Sequence, residues 1–244
     1  MLVLALDTTT RAGSVALVSD ERILLERAGD AARTHAERLP EEILHVLGEA
    51  GVMLSAVDLF AVASGPGAFT GLRIGIATVQ GLAYASRRLV VPVSALEALA
   101  QIGSVGLAPG EIVGAWMDAS RREVFSALYR VTDAAPFAVG RVAEIEGPFA
   151  GTPASALARW AGSGHRPDAW VGDGAVLYAA IAGVGRPMAP PPALAGAIGL
   201  VAVDRARAGG AVDPGGVQPL YVRRPDAELA RDARTFHHNG HQGH

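Results

Sequence analysis

Between Ser64 and Gly75 the chain reads Ser-Gly-Pro-Gly-Ala-Phe-Thr-Gly-Leu-Arg-Ile-Gly, a glycine-rich turn joining the apolar run Asp58–Ala63 to a segment, Ile74–Ser86, without one charged residue. An apolar run of this length fits a strand buried inside a parallel sheet, and the turn that follows makes it one half of a strand–loop–helix unit. Gly65 and Gly67 can take positive φ or admit a close backbone, Pro66 fixes its own φ, and Thr70 is placed to cap the helix. The unit has the shape of an anion cradle, and equally of a tight turn whose glycines serve packing. Its spacing is neither the dinucleotide G-x-G-x-x-G nor a Walker A loop, which needs a lysine, and all 21 basic residues of this chain are arginine. Along the helix, Leu72, Ile76, Val79 and Ala83 suit the sheet side. Gly75, Thr78, Gly81, Leu82 and Ala85 leave a second side that is small and weakly polar. Such a side, flanked by Arg73 and Arg87, is either buried beneath another element or kept for a partner.

A chain of 244 residues can bury a sizeable core in one large or two small domains. Half of it is hydrophobic, yet no uninterrupted apolar stretch approaches the roughly 20 residues that span a membrane. The start, Met-Leu-Val-Leu-Ala-Leu-Asp, has neither a basic leader nor a cleavage site, so a cytoplasmic protein is expected. Zero cysteines exclude thiolate nucleophiles, disulfides and thiolate metal sites. A formal charge of −3 gives no global attraction to nucleic acid, so any RNA contact would rest on a local arginine patch or on a partner's surface.

The order of elements points to an α/β class. Leu2–Asp7, Ser14–Val18 and Arg22–Arg27 read as a meander, followed by a helix from His35 to Ala50 that opens on the capping box Thr34-His-Ala-Glu37. After the glycine-rich unit, Leu89–Val93 is a strand and Ser94-Ala-Leu-Glu97 caps a further helix. Gly114-Ala-Trp-Met-Asp118 then resembles Leu4-Ala-Leu-Asp7, and Ala16-Leu17 overlays Ala127-Leu128 without a gap, as an internal repeat would. Thr152-Pro153 marks a helix start, Trp170–Gly174 a strand ending in a glycine turn, and Pro190-Pro-Pro192 precedes an apolar helix over Ala193–Ala208. The expected division is a first lobe at 1–105, a second at 106–223 and a disordered, polar, His-rich tail at 224–244.

Taken in order, Leu4-Ala-Leu-Asp-Thr-Thr-Thr10 with Ser14-Val-Ala-Leu17, His35-Ala-Glu37, the segment Ser64–Gly75, Pro92–Leu96, Asp118–Val124, Gly172-Asp-Gly174 and Pro219–Arg223 resemble the bacterial TsaB family. The resemblance covers nearly the whole body and is most specific in the motif loop, Gly65, Pro66, Gly67, Thr70, Gly71 and Arg73. It implies an actin-like ATPase (ASKHA) fold: two related lobes of mixed β-sheets flanked by helices, the second lobe reduced. It also implies a non-catalytic subunit for the tRNA modification threonylcarbamoyladenosine, made on the adenosine beside the anticodon. Such a subunit pairs with the transferase TsaD and allows the ATPase TsaE to dock. It would reach tRNA through the complex and pair with itself when alone.

The catalytic relative holds its metal with two histidines one helical turn apart. This chain has no such pair in its body, where His35, His45 and His165 stand apart, so no metal site and no catalytic residue are expected. Asp7 and Asp118 end the first strand of each half, where actin-like enzymes place carboxylates near a nucleotide's metal and phosphates. With Thr8, Gly172 and Gly174 they would form a degenerate nucleotide pocket, or else serve only as turn residues. No cofactor of its own is expected, although ATP and Mg have room in the complex. The helices beginning at His35 and Gly71 are expected to pair with the partner's equivalents as a four-helix bundle, through His35, Leu39, Ile43, Leu72, Ile76, Val79 and Leu82. The rival from another class is an autonomous actin-fold kinase or metallohydrolase working at Asp7 and Asp118.

Overall fold

The computed structural model describes residues 1–183 and 193–223. The chain opens with the antiparallel meander β1 (Leu2–Asp7), β2 (Ser14–Ser19) and β3 (Arg22–Ala28). Helix α1 (His35–Glu49) starts at its capping box, in which the Glu37 carboxylate accepts the Thr34 N–H at 2.9 Å. Strand β4 (Leu59–Gly65), helix α2 (Phe69–Ser86), strand β5 (Leu89–Ser94) and helix α3 (Ala95–Gly103) follow. Both β4 and β5 run parallel to β1, giving the five-stranded order β3-β2-β1-β4-β5. The N-cap of α2 is Ala68, so Thr70 lies inside the first turn and does not cap the helix as its position suggested.

The second half repeats the plan with β6 (Ile112–Asp118), β7 (Val124–Val131), β8 (Val142–Gly151), α4 (Pro153–Gly162), β9 (Ala169–Val171), α5 (Asp173–Leu177), α6 (Ala179–Ala182) and α7 (Ala195–Arg207). Its sheet, β8-β7-β6-β9, has the strand order and directions of the first four strands of the first sheet and, among the described residues, no counterpart of β5. The internal match is off by one residue. Asp7 pairs with Ser14, but Asp118 pairs with Val124, one residue sooner along the chain, so overlaying the halves needs a gap in the hairpin turn.

Alternation along the strands sorts the core into layers. In β1, Val3 and Ala5 face a central layer and Leu4 and Leu6 the outer face, and both faces are covered, which makes the run continuously apolar. On the outer face of the first sheet sit α1 and α2. Between the two sheets lie α3 and α7, with small residues such as Ala5, Ala16, Ala61, Ala115 and Ala127 letting helices and sheets approach closely. The outer face of the second sheet is closed by α4 and three tryptophans, Trp116, Trp160 and Trp170, with ring centroids 4.7 to 5.8 Å apart. Helix α7 packs on all five strands of the first sheet, although its residues fall in the second lobe of the expected division at 105/106; α3 reaches β6, β7 and β9 in return. Pro190–Pro192 and the His-rich stretch 224–244 lie outside the described residues. Among the described residues no helix is long and apolar enough to cross a membrane.

Candidate functional site

The glycine-rich segment meets the end of β1 as a packing surface. Gly67, Gly71 and Gly75 recur every four residues along one side of the turn and of α2, and that side lies on Thr8 and Thr9. A Cβ at Gly67 would stand 2.6 Å from the Thr9 Cβ, one at Gly71 2.3 Å from the Thr8 carbonyl oxygen, and one at Gly75 2.1 Å from Thr8 Oγ1. Gly65, at φ 119°, admits the carbonyl of Leu220 in the same way. Of the two roles open to these glycines, close approach is therefore the one they fill against protein.

Asp7, at the end of β1, is buried. Its Oδ1 accepts the Thr9 N–H at 2.8 Å and the Thr9 hydroxyl at 2.5 Å, and its Oδ2 accepts the Thr10 hydroxyl at 3.1 Å. Burial pushes its carboxyl above the usual carboxylate range, opposed by the bonds from Thr9 and Thr10. Asp118 repeats the arrangement in the second lobe, exposed, with Oδ1 accepting the Ser120 N–H at 2.9 Å. Both aspartates are thus turn residues bonded to the backbone two positions on. The Asp118 N–H donates to Asp173 Oδ1 at 3.0 Å, joining the two strand ends of the second lobe.

A cleft of about 770 Å³ lies between the lobes, bordered by the first turns of α1 and α2, the turn Asp118–Arg121 and the segment Leu220–Arg223. Of the residues assigned to a degenerate nucleotide pocket, Asp118 reaches this cleft, whereas Asp7, Thr8, Gly172 and Gly174 do not line it. A Cβ at Gly172 would stand 1.9 Å from the Trp116 carbonyl oxygen and one at Gly174 2.9 Å from the Met117 carbonyl carbon, so both glycines are filled by the β6 backbone. Of the motif loop, Gly67, Thr70 and Gly71 border the cleft.

His35 is half-buried and occupied within the chain. Its Nε2–H, in the tautomer assigned from its partners, donates to the Thr10 carbonyl at 3.1 Å, and Nδ1 accepts from Arg38 Nη2 at 2.8 Å. Arg38 is itself buried, paired to Glu42 at 2.6 Å and bonded to the Ala12 carbonyl. Burial, and then the Arg38 guanidinium, hold the imidazole below its ordinary pKa.

The expected partner face needs correction. Leu39, Ile43, Leu72, Ile76 and Val79 are 0 to 5 % exposed and belong to the core beneath α1 and α2, with Leu82 packed at its margin. The outward residues are different ones. On α1 they are Ala36, Pro40, Leu44 and Gly48, every fourth position; on α2 they are Ala77, Gly81 and Ala85 at the same spacing, with Tyr84 beside them. Leu44 is 69 % and Tyr84 81 % exposed, and a Cβ at Gly48 or Gly81 would meet nothing within 4 Å. The two helices touch, and each carries an exposed row of small, uncharged residues, with Leu44 in the row of α1 and Tyr84 beside that of α2; Glu37, Glu41, His45 and Glu49 are exposed elsewhere on α1.

Residues 28–178 match the family model described as TsaD, tRNA N6-adenosine threonylcarbamoyltransferase. A tRNA threonylcarbamoyladenosine biosynthesis protein TsaB of Haemophilus influenzae is 40 % identical over 126 residues, 51 % of this chain and 52 % of that protein. The chain thus spans about half the length of this curated relative. An uncharacterized protein of Mycobacterium tuberculosis is 35 % identical over 93 % of both chains. Among solved structures, YeaZ from Pseudomonas aeruginosa superposes with a TM-score of 0.69 at 35 % identity, over 90 % of this chain and 99 % of that one. Two mixed sheets of shared strand order, with these likenesses, make the fold the actin-like one.

Proposed function

Because the chain belongs to the TsaB family, we propose that it serves the synthesis of tRNA threonylcarbamoyladenosine as a non-catalytic subunit that pairs with TsaD and completes the docking surface for TsaE. The observation that carries this is the exposed, uncharged row of small residues on each of α1 and α2, with Leu44 and Tyr84 standing exposed at those rows. Small residues let helices of a second protein approach closely, and exposed large apolar groups gain most from being covered. Residues 28–178, which include α1 and α2, match the TsaD family model, so an equivalent helix pair is expected in TsaD and the proposed contact is a four-helix bundle; without TsaD the same surface would pair with itself about a two-fold axis. The chain supplies no reacting group. It orders TsaD's own sites, and ATP with Mg and the tRNA are engaged by the complex, in the cytoplasm. The engagement of Asp7 by Thr9 and Thr10, and the bond of Asp118 to its own turn, favour this over an autonomous kinase or metallohydrolase.

The test is reconstitution of tRNA modification from TsaD, TsaE and a supply of threonylcarbamoyl adenylate. Activity is expected to need this chain and to be equally well supported by its Asp118→Asn variant. Full activity without the chain, or its loss with Asp118→Asn, would overturn the proposal.

A further inference from the structure

Four consecutive residues near the end of the described chain reach both lobes. The Leu220 N–H donates to the Ser64 carbonyl at the end of β4, at 2.7 Å, and the Leu220 carbonyl lies over Gly65. Next, the Tyr221 ring stacks on Phe69 of α2 with centroids 5.0 Å apart, while its hydroxyl accepts from Arg73 Nε at 2.9 Å. The Arg73 guanidinium also lies 3.9 Å above the Phe69 ring. Two residues later Arg223 crosses to the second lobe: Nη1 donates to the Ala119 carbonyl at 3.1 Å, the guanidinium pairs with Glu123, and it lies 5.8 Å from the Phe125 ring centroid. Glycine, phenylalanine and arginine of the motif loop thus have a common task, holding a segment that lies about 150 residues further along the chain.

From this geometry we infer that Leu220–Arg223 is a latch that ties the lobes together and sets the opening of the cleft it borders. Three features make it a latch and not a fixed seam. It attaches to the first lobe at one end and the second at the other within four residues, so releasing either end removes this tie across the cleft. It stands at the surface, with Leu220 38 % and Tyr221 39 % exposed, and its attachments are a few hydrogen bonds, ring contacts and the Arg223–Glu123 ion pair; segments of this kind open far more readily than the molecule unfolds. It also borders the cleft, as do Thr9 and Thr10, so its position bears on how much of the cleft is accessible. The layer of α3 and α7 between the sheets keeps the lobes joined and serves as the hinge. The inference concerns the motion of this chain alone and does not depend on the partner proposed above.

The chain contains zero cysteines, so two introduced ones can be labelled without background. Spin labels at Ala28→Cys on β3 and Ala158→Cys on α4, both exposed, report the interlobe distance by pulsed electron paramagnetic resonance. In Tyr221→Ala/Arg223→Ala, the distance distribution is expected to broaden. Amide exchange in 217–223 is expected to accelerate by about tenfold or more, since stacking and cation–π contacts of about 1 kcal/mol each are lost. Amide protection in β1 and β6 is expected to stay unchanged, which shows that the lobes remain folded. A distribution identical to the parent's, with 217–223 exchanging faster, would show a passive strap and overturn the latch. If the double variant fails to fold, Arg223→Ala alone cuts the link to the second lobe and is read the same way: broadening supports the latch, an unchanged distribution refutes it.

Discussion

The carbonyl oxygen of Thr8 stands 2.3 Å from the place a Cβ would occupy at Gly71. Backbone on one side and helix on the other leave nowhere for a methyl group to go. Gly71→Ala is therefore expected to destabilise the protein by about 1–3 kcal/mol through overpacking, despite alanine's better helix propensity. Gly81→Ala, on the same helix but open to solvent, should be neutral or slightly stabilising. Urea midpoints of the two variants against the parent check the contrast.

Helix α7 begins at side chains of the first sheet. Ser14 Oγ accepts the N–H groups of Leu194 and Ala195 at 3.2 and 3.0 Å, and Glu26 Oε1 accepts that of Gly196 at 2.6 Å. These acceptors satisfy donors that have no partner within the helix. Ser14→Ala leaves two of them buried, and a loss of about 1–2 kcal/mol is expected from chemical denaturation.

Stability should also depend on pH through His35. Its folded pKa is lowered, by burial and then by Arg38, so the unfolded chain binds the proton more readily. Its contribution is present above the unfolded pKa of about 6.5 and is lost as pH falls from there toward the folded value. Protonation would also set an Nδ1–H against the Arg38 N–H that Nδ1 now accepts. Unfolding free energies of the parent and of His35→Gln, measured at neutral pH and across the mildly acidic range, should converge as pH falls; a constant difference would remove His35 as the cause.

Much of this was legible in the chain itself, for reasons specific to each element. The capping box at Thr34, the Ser94 side-chain cap on the Glu97 N–H and the Thr152-Pro153 start carry local hydrogen bonding that needs no tertiary context. The apolar runs of β1, β2 and β4 are buried on both faces, so their composition announces them. Strand β8 is not legible in the sequence because it is a half-exposed edge with Gly147 and Pro148 inside it, and it shows no clean alternation. The residues expected at a partner face lie in the core for a related reason. In α2 no charge follows Arg73 on any side, so apolarity does not tell the buried Leu72, Ile76 and Val79 from the outward Ala77 and Gly81. The period-four rows of small residues were the signal available, and on α1 they include Ala36 and Gly48. That the glycine loop is filled by Thr8, Thr9 and Leu220 depends on segments remote in sequence, which spacing within the motif cannot reveal.

The central claim, a partner surface on α1 and α2, is tested most directly by sedimentation velocity of the parent chain and of Gly81→Glu, each alone and mixed with TsaD from the same organism. Gly81 faces open space, so a glutamate there leaves the fold intact and places a charge in the middle of the stripe. The parent is expected to sediment as a self-dimer that gives way to a one-to-one complex with TsaD, and Gly81→Glu to remain monomeric in both cases. Undiminished assembly of Gly81→Glu, or no association of the parent with TsaD, would contradict the account.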